Sequence, residues 1–225
     1  MEPLLSNVQI KVLAQVYLKD PESSELGKRI VSGGIELIDE LGFERFTFKK
    51  LAQKIGSTEA SIYRYFLDKH HLLVYFTLWY WGWMEYRLVF GLTNIESPTD
   101  RLKKAIKILT EKIEQDSDFS HINEVKLNRI VIAESSKIYF NKNVDQDNSE
   151  GYFVAYKNLV QRVSDIILEI NEEFKYPHML VSTIIEGAHH QRYFAEHLPR
   201  LTDVIQGEDA VITFYQKIAL NALKQ

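Results

Sequence analysis

The sequence predicts an all-α protein: a three-helix N-terminal head containing a helix-turn-helix, followed by a larger helical domain. Three observations carry this expectation. Apolar residues recur at three- and four-residue spacing through most segments from Leu26 onward. Gly42 and Gly56 each follow the last apolar position of such a segment, where a left-handed residue without a Cβ ends a helix cheaply. The one alternating stretch, Val8 to Leu18, has no second strand to pair with.

Taken in order, Val8 to Leu18 reads as an extended N-terminal arm closed by Asp20-Pro21, with a helix through Ile10, Leu13 and Tyr17 as the alternative. Ser23 or Ser24 caps the first long helix, whose stripe is Leu26, Ile30, Gly34, Leu37 and Leu41. Gly33-Gly34 inside it predicts close approach of another helix, since each glycine costs ~1 kcal/mol of helix propensity. Thr47 caps a short helix through Phe48, Leu51, Ala52 and Ile55. After the turn at Gly56, Ser57 or Thr58 caps a second helix, Glu59 to about Phe66, that buries Ile62 and Phe66. Thr58, Glu59, Ser61, Tyr63 and Arg64 are left outward, which suits the major groove of DNA, read by N-terminal side chains of one α-helix. The local cations Arg45, Lys49, Lys50, Lys54, Arg64 and Lys69 outnumber Glu59 and Asp68, a modest footprint for phosphates.

Asp68 caps a helix with Leu72, Phe76, Trp79, Trp83, Tyr86 and Phe90 on one stripe and Tyr75, Tyr80 and Trp81 beside it, so it needs cover on several sides. A loop from Thr93 to Asp100 is the best domain boundary by composition. Helices are then predicted from Thr99 to about Gln115, Ile122 to Ile138, Tyr152 to Phe174, Pro177 to His197 and Gly207 to Leu223, with a polar loop from Phe140 to Gly151. The last two form a hairpin that shows Leu180, Ile184, Gly187 and Gln191 on one helix and Val211, Phe214 and Ile218 on the other. Two such hairpins could build a four-helix bundle across a two-fold axis.

Composition narrows the function. With 45% hydrophobic and 26% charged residues at net charge −4, the chain is globular and its non-specific affinity for nucleic acid is expected to be weak. There is no cysteine, which excludes disulfides, thiolate nucleophiles and Cys-ligated zinc. The N-terminus, with acidic Glu2 and no basic region before an apolar core, is a poor signal peptide, so a cytoplasmic location is expected. Leu72 to Met84 is too short to span a bilayer, and no membrane partner is expected. Glu186 and His189 have the E-x-x-H spacing of di-iron bundles, but no second copy exists. No nucleophile elbow, P-loop or dinucleotide fingerprint occurs. Neither an enzyme nor a metal or cofactor is expected.

The stretch Phe46-Thr47, Leu51-Ala52, Gly56-Ser57 and Ile62-Tyr63-Arg64-Tyr65-Phe66, followed by Lys69 and Leu72-Leu73, resembles the N-terminal domain of TetR-family transcriptional regulators. The resemblance covers about Leu26 to Leu73. With the alternating stretch taken as an arm at 1–22, it implies a DNA-binding domain at 23–70 and an effector-binding and dimerisation domain at 71–225. It further implies phosphate contacts from Thr47, Lys49, Tyr63 and Lys69, and base-edge contacts from Thr58, Ala60, Ser61 and Arg64. Glu59 departs from the pattern, because a carboxylate near phosphates repels unless it accepts from cytosine or pairs with a cation such as Lys54. The expected function is that of a dimeric regulator, a repressor on a palindromic operator in double-stranded DNA, released by a small, largely apolar or aromatic effector. Its pocket is expected around Trp79, Trp83, Arg129, Tyr156 and His190. The alternative is an all-helical protein–protein or scaffold module whose helix-turn-helix is structural.

Overall fold

In the computed structural model, which describes residues 10–116, 119 and 121–224, the described residues form eleven α-helices and no strand. The helices are α1 (Glu25–Leu41), α2 (Phe48–Ile55), α3 (Glu59–Ile62), α4 (Lys69–Leu92), α5 (Pro98–Thr110) and α6 (Glu124–Ala133). They continue with α7 (Ser135–Tyr139), α8 (Val144–Ser149), α9 (Val154–Ile170), α10 (Pro177–His197) and α11 (Ala210–Ala222). None of them is long and apolar enough to cross a membrane.

The chain divides into two compact units, Met1–Gly82 with Ile113–Phe153, and Trp83–Lys112 with Val154–Gln225. Residues 71–225, expected as one domain, are therefore distributed over both. The division falls inside α4 rather than at residue 70 or in the loop after Leu92, because the first part of α4 packs into the head.

In the first unit, the Ser24 hydroxyl accepts from Gly27 N at 3.2 Å to start α1, and Gly42 at φ 76° ends it. Ile30, Val31, Ile35 and Ile38 are buried along its inner face. A Cβ on Gly33 would meet Ile55 and Leu51 of α2, and one on Gly34 would meet Phe76 and Leu72 of α4. The glycine pair thus admits two helices at once. Along α4 the rings of Tyr75, Phe76, Trp79 and Tyr80 are buried. Their polar tips find partners, as buried tyrosines and tryptophans require: the Tyr80 hydroxyl donates to Asn128 Oδ1 at 2.8 Å, and Trp81 Nε1 donates to the Tyr139 hydroxyl at 2.5 Å.

Three expectations are corrected here. The arm is not a simple extended segment: two 3-10 turns, Ala14–Val16 and Pro21–Ser23, interrupt it, and Val16 is fully buried. Its residues 1–9 lie outside the described residues. The helix expected over 122–138 breaks at Glu134, whose carboxylate accepts from Phe43 N at 3.1 Å and from Lys137 at 2.7 Å. The polar stretch 140–151 contains α8, held by Asp147 N donating to Asn143 O at 2.9 Å and by a Gln146–Glu150 side-chain hydrogen bond at 2.8 Å.

In the second unit, α5 packs against α9, α10 and α11. Ser97 caps α5, Pro177 opens α10 and Asp209 caps α11. Arg192 of α10 donates from Nε and a terminal nitrogen to Thr110 O, at 2.9 and 2.6 Å. The same terminal nitrogen reaches both carboxylate oxygens of Asp209, at 2.8 and 2.7 Å. Gly187 lies where any Cβ would overlap the Tyr215 hydroxyl, so the missing side chain sets how closely α10 and α11 approach.

Candidate nucleic-acid interface

The interface is built on two short helices. Thr47 accepts from Lys50 N at 3.2 Å and begins α2, and Gly56 at φ 62° and ψ 48° ends it in the left-handed region. Thr58 accepts from Ser61 N at 3.2 Å and begins α3, while its hydroxyl also shares a 2.8 Å hydrogen bond with the Ser61 hydroxyl. The reading helix is shorter than expected: α3 ends at Ile62, and residues 63–65 continue as a turn. Ile62 and Phe66 are fully buried, as the spacing predicted, and this anchors the turn to the core.

Around that anchor the structure gathers an exposed polar face from Thr47, Lys49, Thr58, Ala60, Tyr63 and Arg64, with Ser61 half-buried. Tyr63 is 47% exposed, and its ring stands edge-on against Phe48, with centroids 5.0 Å apart. Phe48 in turn packs edge-on against Phe46 at 6.1 Å. A column of rings therefore holds the Tyr63 hydroxyl outward, within the donor and acceptor repertoire that phosphates use. Lys49 and Arg64 form no ion pair with any described carboxylate.

The remaining cations are differently engaged. Lys69, expected at a phosphate, directs its ammonium to Phe43 O at 3.1 Å and Glu44 O at 3.4 Å, and lies 4.5 Å from the Phe43 ring centroid. These contacts tie it to the α1–α2 connection. Lys50 donates to Arg45 O at 2.7 Å, and Arg45 Nε donates to Leu41 O at 2.8 Å. Lys54 pairs with Glu36 at 3.2 Å rather than with Glu59. Glu59 is exposed and forms no ion pair with another described residue. Asp68, the acceptor for His71 N at 2.9 Å, is held below its ordinary range: burial opposes the shift, and the hydrogen bonds from His71 outweigh it.

The residues expected to form an effector pocket do not fall in one unit. In the first, Trp79 packs edge-on to Phe119 at 5.3 Å, and Arg129 makes a bidentate pair with Asp39, both bonds 2.8 Å. In the second, Trp83 is buried under the Arg87 guanidinium at 4.7 Å, the Tyr156 hydroxyl donates to Glu186 at 3.0 Å, and His190 stacks on Phe194 at 6.0 Å. Burial, and then the neighbouring His190, push the His189 imidazole down to about 4, so it is neutral at pH 7.

The dimer residues also separate. Phe214 and Ile218 are exposed at 53% and 39%, and Leu180, Gly187 and Gln191 are half-buried. Ile184 and Val211 are buried in the single chain. Residue periodicity missed the docking of the arm on the head, where Leu18 N donates to Tyr65 O at 2.8 Å. No helical period signals a single backbone hydrogen bond between segments so far apart in sequence.

Residues 30–76 match the family described as bacterial regulatory proteins, tetR family. A search of the curated proteins gives no match. Among solved structures, the superantigen PfiT is 16% identical at TM-score 0.59, over 90% of this chain and 97% of that one. The TetR-family transcriptional regulator PfmR from Thermus thermophilus is 13% identical at TM-score 0.58, over 87% and 97%. AibR, solved with isovaleryl coenzyme A and operator DNA, is 13% identical at TM-score 0.56, over 85% and 96%. At such identities these three establish the fold alone; the matched segment carries more, because it includes both caps, the Gly56 turn and the outward face just described. Residues 30–76 therefore carry the DNA-binding helix-turn-helix domain of the tetR family of bacterial regulatory proteins.

Proposed function

We propose that the chain acts as a homodimeric repressor on a palindromic operator and is released by a small, largely apolar or aromatic effector. The observation that carries the reading is the outward face of Thr47, Lys49, Thr58, Ala60, Ser61, Tyr63 and Arg64, fixed by two caps and a ring column. Lys49, Thr47 and Tyr63 would position the head on phosphates, while Thr58, Ala60, Ser61 and Arg64 read base edges, the Ala60 methyl suiting a thymine methyl. A second copy would cover Phe214 and Ile218 of α11, next to a groove of about 520 Å³ lined by Gln191, Leu201, Ile205 and Phe214.

For the effector we keep Trp83, Tyr156 and His190 of the second unit, where a hydroxyl, a carboxylate and an imidazole accompany buried aromatic surface. Release is linkage: an effector changes DNA affinity only by its preference for the conformation that binds DNA less well. AibR was solved with isovaleryl coenzyme A, which supports placing short acyl thioesters in the panel of effectors to be screened.

Selection of bound sequences from a random duplex pool, at stated salt, tests the reading. A recovered palindrome, with light scattering reporting two chains per complex, is the expected result. Recovery of no sequence above background by folded protein would reject it and leave the head as a scaffold element. On that outcome Tyr63→Ala would also be without effect on any interaction with DNA.

A further inference from the structure

Lys19 precedes residues 30–76 and stands on none of the helices of the matched domain. It is nevertheless held beside the reading turn. Its ammonium lies 5.0 Å from the centroid of the Tyr65 ring, and Tyr65 follows Arg64 in the turn that continues α3. The placement is fixed on several sides. Leu18 N donates to Tyr65 O at 2.8 Å, and the Tyr65 hydroxyl shares a 2.7 Å hydrogen bond with Ser24 at the cap of α1. Further along, the Glu22 carboxylate accepts from the Tyr75 hydroxyl at 3.4 Å and lies 2.8 Å from His121 Nε2, while Val16 is sealed in the core. Lys19 is thus an anchored cation, not part of a loose tail.

Its charge is also available. Lys19 is exposed and forms no ion pair with a described carboxylate, and the adjacent Asp20 turns its own carboxylate to Glu22 N at 2.9 Å. Tyr65 registers the local field: its hydrogen bond to Ser24 first, against burial, and then a hydrogen bond from Lys19 and the charges of Lys19 and Arg64 hold its phenol below the ordinary range. Lys19 over this buried ring and Arg64 next to it in sequence put two cations lacking carboxylate partners near the exit of the reading helix.

We propose that Lys19 is a DNA phosphate contact, so that the arm widens the DNA-binding surface beyond the helix-turn-helix by engaging the backbone beside the position reached by Arg64. The contact positions the head and reads no base, as phosphate contacts do. It rests on the reading of the chain as a DNA binder.

The test uses the full chain and a short labelled duplex carrying the sequence recovered by the selection above, beside one of unrelated sequence, with anisotropy titrations across a salt series. Each neutralised phosphate contributes about 0.9 to the slope of log K against log salt. Lys19→Gln removes one contact from each head of the dimer, so it should lower the slope by about 1.8 and weaken binding at least several-fold on any duplex sequence. Lys19→Arg should keep the slope, and Lys107→Gln, which removes the same charge from the exposed face of α5, should leave it unchanged. A wild-type slope in Lys19→Gln overturns the proposal, as does an equal loss in Lys107→Gln or a lost slope in Lys19→Arg. If the wild-type chain shows no salt-dependent duplex binding, the DNA-binding reading itself fails, an outcome distinct from all of these.

Discussion

Glu124 offers a stability measurement whose sign and size follow from its surroundings. The side chain is fully buried at the start of α6. One carboxylate oxygen, Oε2, accepts from Gln115 Nε2 at 2.8 Å and Asp116 N at 3.2 Å, while Oε1 has no hydrogen-bond partner. Burial is the main cause that pushes its carboxyl up to about 7 from the ordinary 4.5, with the Asp116 charge adding to it and hydrogen bonds and His121 opposing. In the unfolded chain the proton leaves near pH 4.5; in the folded chain it is kept until about 7. The stability contributed by the neutral form is therefore complete below about pH 4.5 and is lost as pH rises through 7. At about 1.4 kcal/mol per pH unit, the gap is worth about 3 kcal/mol. Glu124→Gln removes the titration and keeps one acceptor oxygen for Gln115 and Asp116. Urea unfolding of both proteins across this range should show the variant gaining about 3 kcal/mol on the wild type between acid and mildly alkaline pH. A difference that stays constant with pH would refute the reasoning. His189, pushed down to about 4, acts in the opposite sense, since its contribution is lost as pH falls below the ordinary 6.5. Both proteins carry it, so subtracting the two curves removes it.

Thr58→Ala deletes the acceptor for Ser61 N and should cost ~1 kcal/mol locally, seen as faster amide exchange at Ser61 together with weaker duplex binding. Gly187→Ala places a methyl on the Tyr215 hydroxyl and should lower stability by about 1–3 kcal/mol, measured by thermal unfolding; an unchanged midpoint would mean that α10 and α11 yield there freely. Phe214→Glu, at a 53% exposed position, should leave the fold intact by circular dichroism and convert a dimer to monomer by light scattering. A variant that still weighs as two chains would remove α11 from the proposed interface.

The head was legible because its boundaries are local chemistry. Ser24, Thr47 and Thr58 each cap the backbone amide three residues on, and Gly42 and Gly56 take positive φ, so residue type and spacing placed the helix starts to within a residue and both glycine stops, though not the end of α3. The pairing of Gly33-Gly34 with neighbouring helices was legible for the same reason, as a local cost in need of a packing explanation. What remained hidden depends on distant segments. Lys69 reaches the carbonyls of Phe43 and Glu44, and Arg129 reaches Asp39 across 90 residues of sequence. A helical stripe identifies neither partner. Ile184 and Val211 belong to apolar stripes broader than the unit's own core required one side to be, and periodicity alone does not say which members of a stripe stay inside.

Arg192 has a consequence for the connection between α10 and α11. By tying Asp209 to a residue on the last turns of α10, it acts as a non-covalent cross-link that closes the intervening segment into a ring. The same guanidinium grips the carbonyl of Thr110 at the end of α5, so the ring is moored to a third helix. A lysine there would bring one compact ammonium to acceptors that now share a planar fork. Leu198, Leu201, Val204 and Ile205, all exposed along this connection, are consequently presented on a segment whose freedom was already reduced on folding. Whatever settles on those side chains meets a preorganised surface, and the cost of ordering that loop does not recur on association.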